Sequence, residues 1–488
     1  MNVSNYSDHQ SPQFRVLSAP QCRELYLATL ECLNRVGVLV HSEHARHLLA
    51  EAGARVKEKR VYIPAHLIQD AVASAPRNFS LWRRDGQGAL QVAPGHVHFG
   101  PGPSCTYYVD PFTLQRRRAR RGDAGLTARV CDALPNLDYA MSLSLFDDVT
   151  PVLSPVYEFA ELLANTAKPV VAWANDTANL ADIYAMAVAV AGGEEALQQR
   201  PFLAYFANYE SPLRHAQAPV DNLIWAAEHG LPVVYLGGPT VGLESPVTGA
   251  SGLVLYLAAA LSGLAIVQLA RRGAPVVIGG VPSAMDLRTA RPAYGSPEMS
   301  LHVAAAAELA HYLELPFMGT AGASESKRLD AQAASEASIQ ILMSALSGAS
   351  LVHDLGFLDC ADIGSPAFLV FLDEVIAMVR RILRGVPVNQ ATIQLDLIEQ
   401  VGPGGLFIAE PDSAAHCRTE IWVPGLFDRD AHTIWEQKGS RGVEERVVDK
   451  LQHILTHHQP PPLPEGAAGV IESSLHAAEA RVQAENLQ

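Results

Sequence analysis

The amino-acid sequence predicts an α/β protein built on a (β/α)8 (TIM) barrel, with an N-terminal helical cap and a C-terminal mixed extension. Three observations favour this fold class. Eight short apolar or aromatic runs recur about every 30 to 40 residues, and each is followed by a segment with helical periodicity. The runs are continuously apolar, which is typical of parallel strands that are covered on both faces. The sequence contains neither GxGxxG nor GxxxxGK[ST], the phosphate-binding turns that would favour a doubly wound open sheet.

The strand runs and helical segments alternate in order along the chain. The predicted strands are HVHFG with CTYYV (96–109, counted as one), YAMSLSLF (139–146), PVVAWAN (169–175), FLAYFAN (202–208), PVVYLGG (232–238), PVVIGGV (275–281), LPFMGT (315–320) and ASLVHD (349–354). The predicted helices begin near residue 122 and continue at 154–166, 177–193, 218–229, 248–271, 297–313, 331–347 and 366–386.

This alternation divides the chain into three parts. The barrel, which is the catalytic domain, covers residues 96–390, and residues 1–95 form an N-terminal helical extension that contains the helical run CRELYLATLECLNRVG. Residues 391–488 form a C-terminal extension with helical runs at 390–400 and 443–457. The proline-rich segment HHQPPPLPEG indicates a linker, so the last part of the chain is expected to be a flexible, partner-dependent tail.

Composition and charge exclude two classes of protein. Hydrophobic residues make up 49% of the 488 residues and charged residues 18%, which is typical of a compact globular protein and not of a disordered chain. The 36 lysines and arginines against 51 acidic residues give a net charge of −15, so no nucleic-acid partner is expected. The basic run 116–121 is interpreted as a solvated turn that leads into a helix.

Targeting signals and cysteines predict a cytoplasmic protein without a membrane segment. The N-terminal sequence has neither a basic start nor an apolar stretch, so no signal peptide is expected. No window reaches 18 uninterrupted apolar residues, and the nearest, 253–269, is interpreted as a buried helix. The six cysteines are widely spaced and form no CxxC pair, which favours reduced thiols over disulfides or a thiolate metal site.

Candidate site residues follow the predicted strands, because the catalytic groups of such barrels lie on the loops after the strands. These candidates are Tyr107, Tyr108, Trp173, Asn208, Tyr209, Asp286, Arg288, Glu325, Lys327 and His353. A mixture of aromatic, amide and acidic groups suits a cationic ligand, because aromatic faces attract a quaternary ammonium and carboxylates add long-range attraction. The four aromatic residues in this set are therefore predicted to form a cage around an ammonium group.

A metal site is the alternative for the histidines. His96 and His98 alternate on one strand and resemble the HxH pair of zinc-dependent amidohydrolase barrels, with His353 as a later ligand. Such enzymes need further histidines and an aspartate on later strands, and the other histidines fall on predicted helices. We therefore interpret His96 and His98 as packed beneath the N-terminal cap and expect the chain itself to bind no metal.

The stretch from 234 to 359 carries a resemblance to a known family. Its segments are VYLGGPTVGLESPVTGA, LARRGAPVVIGGVPSAMDLRTARPAYGSPE, ASESKRLDAQAASE and LVHDLGFLD, and MDLRT followed by YGSPE is the most specific of them. Weaker similarity at LNRVGVLV, FGPGPS and NYESPL extends it over most of residues 20–390. Through these segments the chain resembles the trimethylamine methyltransferase family.

The resemblance implies a TIM-barrel methyltransferase that moves a methyl group from an amine to the cobalt of a corrinoid. The corrinoid (cobalamin) is carried by a small corrinoid-binding partner protein, and a homo-oligomer is also expected. In the trimethylamine enzymes a pyrrolysine lies near the segment ASESKRLDAQ, where this chain has Lys327 and Arg328. The resemblance therefore points to the branch that acts on small quaternary amines such as betaines. A quaternary ammonium leaves as a neutral tertiary amine, so no general acid is required and positioning is the enzyme's main task.

The resemblance implies roles for the candidates, but a structural alternative stays open for several of them. Glu325, Lys327 and His353 are assigned to catalysis and the other candidates to substrate binding. Alternatively, Glu325 and Lys327 belong to a helix cap, His353 is a core residue, and Asp286 and Arg288 pair with each other. A barrel that binds a quaternary ammonium without turnover is a further alternative.

Overall fold

The computed structural model describes residues 12–103 and 105–485. Three sequence expectations reach beyond these ranges. The first eleven residues of the N-terminal start, Ser104 of the FGPGPS segment and the final residues 486–488 of the tail lie outside the described residues.

Parallel strands form the wall of a barrel, as the sequence predicts. The described barrel strands are His98–Pro101, Val170–Ala172, Leu203–Asn208, Val233–Leu236, Val276–Gly279, Phe317–Thr320 and Leu351–Leu355. From Val170 onward each strand pairs in parallel with the next in the chain, and the last pairs back with the first through Leu351 and His98. The predicted (β/α)8 fold class is confirmed.

The second strand of the barrel is much shorter than the run 139–146 predicts. In this run only Ala140 forms a parallel bridge, to Val170. Leu143 has a φ of 61°, which turns the backbone out of the extended conformation. Ser142 Oγ donates to the carbonyl of Ser144 at 2.9 Å and holds the turn. This segment joins the first barrel strand just before Ala140, because the backbone N–H of Asp138 donates to the carbonyl of Phe99 at 2.6 Å.

Helices follow the strands and cover the outside of the barrel. The described barrel helices are Arg121–Ala133, Ser154–Asn165, Thr177–Ala191, Gln217–Glu228, Gly249–Ala270, Pro297–Tyr312, Ala331–Ser347 and Pro366–Leu383, with Glu194–Gln199 and the short 3-10 helix Pro151–Leu153 between them. Side-chain caps fix several of their starts: Asp330, for example, accepts from the backbone N–H of Ala333 at 3.0 Å. The strand-helix order therefore matches the sequence pattern.

An apolar cluster fills the inside of the barrel. Its described members are Leu81, Val92, Tyr139, Met141, Val171, Ala204, Phe206, Val234, Leu236, Val277, Met318 and Leu351. Leu81 and Val92 come from the antiparallel hairpin of Phe79–Trp82 and Ala89–Val92. This hairpin bonds to Pro201, just before a barrel strand, so it closes the N-terminal end of the barrel. The open end is therefore the C-terminal one, where such barrels carry their sites.

The remaining N-terminal residues form helices and a small sheet. The helices are Ala19–Arg35, Glu43–Glu51 and Ala65–Ser74, and the sheet consists of Val38–Val40, Arg55–Lys57, Arg60–Tyr62 and Arg214–His215. The sequence predicted mostly helices here, because strands of three residues are too short to show a periodic pattern. All three of these helices contact Gly249–Ala270, a helix long and apolar enough to cross a membrane by length and composition. Because 78% of its apolar window is buried in the protein, it is the core helix that the sequence predicts.

Small sheets lie around the C-terminal end of the barrel. One contains Tyr107–Val109, Arg116–Arg118, Phe357–Leu358 and Ile363–Gly364, and the other is the hairpin of Met285–Asp286 and Arg291–Pro292. The run CTYYV therefore belongs to a separate sheet and does not continue the first barrel strand. The basic run begins as a strand at Arg116, and the next helix starts at Arg121.

The C-terminal residues are helical. The described helices are Gln390–Ile393, Leu395–Val401, Pro411–Glu420, His432–Gln437, Val443–His457 and Ala467–Glu485, with the 3-10 helix Phe407–Ala409. The last helix covers the part of the chain for which composition predicts a loose tail. It is held to the barrel by an ion pair of Arg481 with Asp182 at 2.5 Å, and Glu479 accepts from the hydroxyl of Tyr157 at 2.8 Å.

Candidate active site at the barrel mouth

A cavity of about 370 Å³ lies at the C-terminal end of the barrel. Its described lining residues are Pro103, Phe206, Asn208, Tyr209, Ser211, Leu236, Gly237, Gly238, Thr240, Glu244, Val281, Ser283, Pro292, Tyr294, His353, Asp354, Phe357 and Ala361. They include aromatic rings and two carboxylates but neither lysine nor arginine. Three sequence candidates, Asn208, Tyr209 and His353, lie in this wall.

Strand alternation places Phe206 and His353 inside the barrel. Phe206 belongs to the interior cluster, and its ring meets the imidazole of His353 edge to face, with centroids 6.0 Å apart. His353 pairs in register with Thr320 on the neighbouring strand, so both side chains point the same way. The C-terminal parts of these strands therefore form the floor of the cavity.

His353 is held beside the carboxylate of Asp354, which is not among the ten candidate residues. Its Nδ1 lies 2.5 Å from Oδ1 of Asp354, and the other oxygen of Asp354 accepts from the hydroxyl of Thr320 at 2.6 Å. The His353–Asp354 contact is close but not aligned as a hydrogen bond, and neither ring nitrogen of His353 has a hydrogen-bond partner in the described protein. His353 is only 3% exposed. A buried polar group without a partner calls for a ligand or water.

Backbone conformation brings Asp354 to this position. Asp354 has a φ of 73°, in the left-handed region that few side chains adopt. Gly102 lies against the carboxylate, since a Cβ at that position would come within 2.5 Å of Asp354 Oδ1. Residues other than glycine that adopt the left-handed conformation cluster at functional sites, where the surrounding structure holds the strained backbone in place.

Tyr209 lies in the cavity wall with an unpartnered hydroxyl. The ring packs on Tyr235 at 5.4 Å and over Gly237, whose Cβ would meet the ring at 2.7 Å. Glycine is therefore required beside this ring. Burial raises the pKa of Tyr209 well above its usual value, so the hydroxyl stays protonated and able to donate.

Two further residues of the wall, Tyr294 and Glu244, are not among the ten candidate residues. Tyr294 follows the hairpin strand Arg291–Pro292, and burial together with the carboxylate of Asp354 raises its pKa well above the usual value. It is the tyrosine of the YGSPE motif, which was the available signal. Glu244 accepts from the backbone N–H of Thr240 at 2.8 Å, which holds its carboxylate in the wall.

Glu325 and Lys327 are not among the described residues that line the cavity. Glu325 Oε1 accepts from the backbone N–H of Gly295 at 3.4 Å. Burial, with the nearby carboxylate of Glu336, raises the pKa of Glu325. Lys327 is 67% exposed and its Nζ donates to the carbonyl of Glu325 at 2.7 Å.

Asp286 and Arg288 pair with each other, as the structural alternative expects. The carboxylate of Asp286 accepts from the backbone N–H of Arg288 at 2.9 Å and lies 3.3 Å from its guanidinium. These bonds lower the pKa of Asp286. The Arg288 side chain is 90% exposed, so in this structure it faces solvent outside the cavity.

The structure separates the other three aromatic candidates from the cavity lining. Tyr108 is fully buried and its hydroxyl bonds to Thr127 at 3.0 Å, in the core beneath the helix Arg121–Ala133. The guanidinium of Arg116 lies 3.2 Å from the ring centroid of Tyr107. Each of the two rings is therefore already engaged by another part of the chain.

Trp173 packs on the interior cluster and donates from Nε1 to Glu158 at 2.9 Å. Glu158 is 2% exposed, and burial raises its pKa to about 8 although the bonds from Trp173 and Ser142 oppose this shift. The carboxyl group is therefore largely protonated at neutral pH, a state that perturbed carboxyls at functional sites also use.

Two of the three histidines of the metal alternative, His96 and His98, lie at the start of the first barrel strand, away from His353 in the cavity. His98 Nε2 lies 3.0 Å from the carbonyl of Gln91 in the closing hairpin, and its Nδ1 lies 3.9 Å from Asp138. Burial lowers the pKa of His98 and of His96. No group of three or more potential metal ligands occurs among the residues that the structure describes.

Comparisons with known proteins identify relatives along nearly the whole chain. A family profile described as Trimethylamine methyltransferase (MTTB) matches residues 2–482. The chain is 32% identical to trimethylamine methyltransferase MttB of Desulfitobacterium hafniense, covering 93% of this chain and 92% of the relative. It is 26% identical to a glycine betaine methyltransferase from another strain of that species, covering 93% and 94%. The monomethylamine methyltransferase MtmB of Methanosarcina barkeri matches with a TM-score of 0.49 and 12% identity over 92% of this chain and 89% of that structure.

Proposed function

Because the chain belongs to the trimethylamine methyltransferase family, we propose that it moves a methyl group from a small quaternary amine to the cobalt of a corrinoid carried by a small partner protein. The cavity at the barrel mouth is the observation that carries this proposal. Its volume of about 370 Å³ falls at the small end of the range of ligand pockets. It therefore suits a small amine, whereas a corrinoid ring would meet the substrate from the open side.

The chemistry of the wall supports a cationic substrate. Phe206, Tyr209, Tyr294 and Phe357 contribute aromatic faces, and Glu244 contributes a carboxylate. Cation-π contacts with such rings contribute about 0.5 to 2 kcal/mol each, most when they are shielded from water.

Positioning is the task of this chain's own residues in the reaction. The corrinoid, when bound, supplies the cobalt nucleophile that accepts the methyl group. The amine leaves as a neutral tertiary amine, so the chain needs no proton donor at the nitrogen. The aromatic wall orients the N-methyl group, and the free polar atoms of His353 and Tyr209 hold the rest of the substrate. In this proposal Glu325 and Lys327 lie at the rim, where the partner protein docks.

A methyl-transfer assay tests the proposal. Purified protein is incubated with cob(I)alamin, titanium(III) citrate and a set of quaternary amines and sulfonium compounds, and methylcobalamin is followed by its absorption spectrum. We expect methylcobalamin with at least one quaternary amine. Formation with none of these compounds contradicts the proposal, and binding without turnover favours a non-catalytic ammonium-binding barrel.

A homo-oligomer is part of the same proposal, with a second copy of this chain as the partner. Residues 386–423 of the described chain carry ten exposed large apolar side chains: Val386, Val388, Ile393, Leu395, Ile398, Leu406, Phe407, Ile408, Ile421 and Val423. Exposed apolar side chains grouped in one segment favour an interface that another protein covers. None of the described helices in this segment has a buried residue.

A further inference from the structure

The charged side chains of the described cavity wall are carboxylates. Glu244 and Asp354 contribute carboxylates, and the described lining contains neither lysine nor arginine. A further anion placed in this wall would meet like charges in a partly enclosed site, where screening by water is weak. A substrate carboxylate would therefore bind unfavourably here.

Three cations that do not line the cavity contact carboxylates, and two of them share Asp359. Arg291 lies 3.1 Å and Lys327 lies 3.6 Å from Asp359. Arg288 pairs with Asp286 at 3.3 Å in the same way. A substrate carboxylate at the cavity would have to compete with these existing partners.

The wall also holds polar atoms that suit a neutral group. The ring nitrogens of His353 and the hydroxyl of Tyr209 are buried without hydrogen-bond partners in the described protein, and both residues line the same cavity. A hydroxyl group can both donate and accept, so it satisfies a tyrosine hydroxyl and an imidazole in either tautomer. A hydroxyl brings no charge toward Glu244 or Asp354.

We infer that the substrate of the barrel mouth is a quaternary ammonium ion that carries a neutral hydroxyl and no carboxylate, a choline-like ion and not a betaine. The inference rests on the proposed function and narrows its substrate class. In this arrangement the aromatic rings of the wall hold the ammonium, and the hydroxyl bonds to His353 and Tyr209. Resemblance to family members without pyrrolysine points to betaines, and the charges of this wall point away from them.

Calorimetric titration of the full chain tests the inference with three probes: choline, tetramethylammonium and glycine betaine. We expect choline to bind about tenfold or more tightly than glycine betaine, because the carboxylate of the latter meets like charge in the wall. Tetramethylammonium lacks the hydroxyl and should bind more weakly than choline. Glycine betaine binding as tightly as choline overturns the inference.

A variant that removes one charge tests whether the cavity wall itself sets the preference for choline over glycine betaine. Glu244→Gln keeps an oxygen for the backbone N–H of Thr240 but removes the negative charge. It should weaken choline and strengthen glycine betaine, so that the preference falls by about threefold or more. The matched control is Glu314→Gln, which removes one charge before the strand Phe317–Thr320, at the opposite end of the barrel, where Glu314 is 74% exposed. An equal change in the preference for both variants contradicts the inference.

The methyl-transfer assay distinguishes a failure of this inference from a failure of the proposed function. Methylcobalamin formed from glycine betaine but not from choline overturns the inference and leaves the proposed function standing. Tight choline binding without methylcobalamin from any quaternary amine overturns the proposed function and supports the inferred ligand class.

Discussion

The imidazole Nδ1 of His353 lies 2.5 Å from the carboxylate of Asp354, although the two residues are consecutive in one strand. Side chains of consecutive strand residues normally point to opposite faces. The left-handed backbone of Asp354 brings its carboxylate back to the histidine, and Thr320 holds it there. The carboxylate of Asp354 therefore lies beside the imidazole at the cavity, where a ligand would meet both groups.

Replacing His353 should impair the reaction more than the fold. In His353→Ala the ligand loses a polar contact and Asp354 loses its neighbour, so methyl transfer should fall by about tenfold to a hundredfold. Methylcobalamin formation measures the loss, and thermal unfolding checks the fold. The control is His66→Ala, at an exposed position of the N-terminal extension, which should retain full activity. Full activity of His353→Ala would remove this residue from the site.

Tyr209 offers a test of its ring apart from its hydroxyl. Tyr209→Leu removes the aromatic face and should weaken binding of a quaternary ammonium by about 1 to 2 kcal/mol, roughly five- to thirtyfold. Tyr209→Phe keeps the face and should retain most of the affinity for tetramethylammonium, which has no hydroxyl. Calorimetry on both variants measures the difference.

Tyr107 provides the contrast, because its ring is covered by Arg116 and does not line the cavity. Tyr107→Leu should leave the affinity for the same ion unchanged. If Tyr107→Leu binds the ion more weakly than Tyr209→Leu does, the result would support the four-ring cage that the sequence predicts.

Much of the barrel could be predicted from the sequence, because buried parallel strands appear as separate apolar runs. The second strand could not. Its run is as apolar as the others, and the turn at Leu143 depends on a backbone conformation that an apolar run does not reveal. The same limit applies to Tyr107 and Tyr108, since the chain leaves the barrel after Pro101 and forms a second sheet that the run CTYYV does not distinguish.

Candidate residues at strand ends were predicted better than those on long loops. Asn208 ends a barrel strand, Tyr209 follows it directly and His353 lies within the last barrel strand, so strand position alone puts them in the cavity. Tyr294 reaches the cavity from a hairpin well after its strand, and no periodicity indicates where such a loop folds back. Glu325 lies near a helix start. Its backbone N–H donates to the carboxylate of Glu336, and its own carboxylate accepts from the backbone N–H of Gly295.

The apolar surface at 386–423 predicts an oligomer that charge can dissociate. The double variant Leu406→Asp with Ile408→Asp places two carboxylates where the side chains are 78% and 87% exposed. We expect the wild type to have at least twice the chain mass of 52.4 kDa in light scattering, and the variant to have the mass of one chain. The control Leu27→Asp changes an exposed leucine of the helix Ala19–Arg35 and should not alter the mass. A monomeric wild type would contradict this assembly.

Glu158 should make the stability of the fold depend on pH. Its pKa rises from 4.5 to about 8 on folding, so the folded protein keeps a proton that the unfolded chain has already released. The contribution of Glu158 to stability is therefore fully present below pH 4.5 and is lost as the pH rises toward 8, by at most about 1.4 kcal/mol per pH unit. Glu158→Gln carries no proton to lose and keeps an acceptor for Trp173 Nε1, so urea unfolding at pH 6 and pH 8.5 should give a smaller fall in the free energy of unfolding than for the wild type. An equal fall for both proteins would mean that this carboxyl group is ionised in the folded barrel.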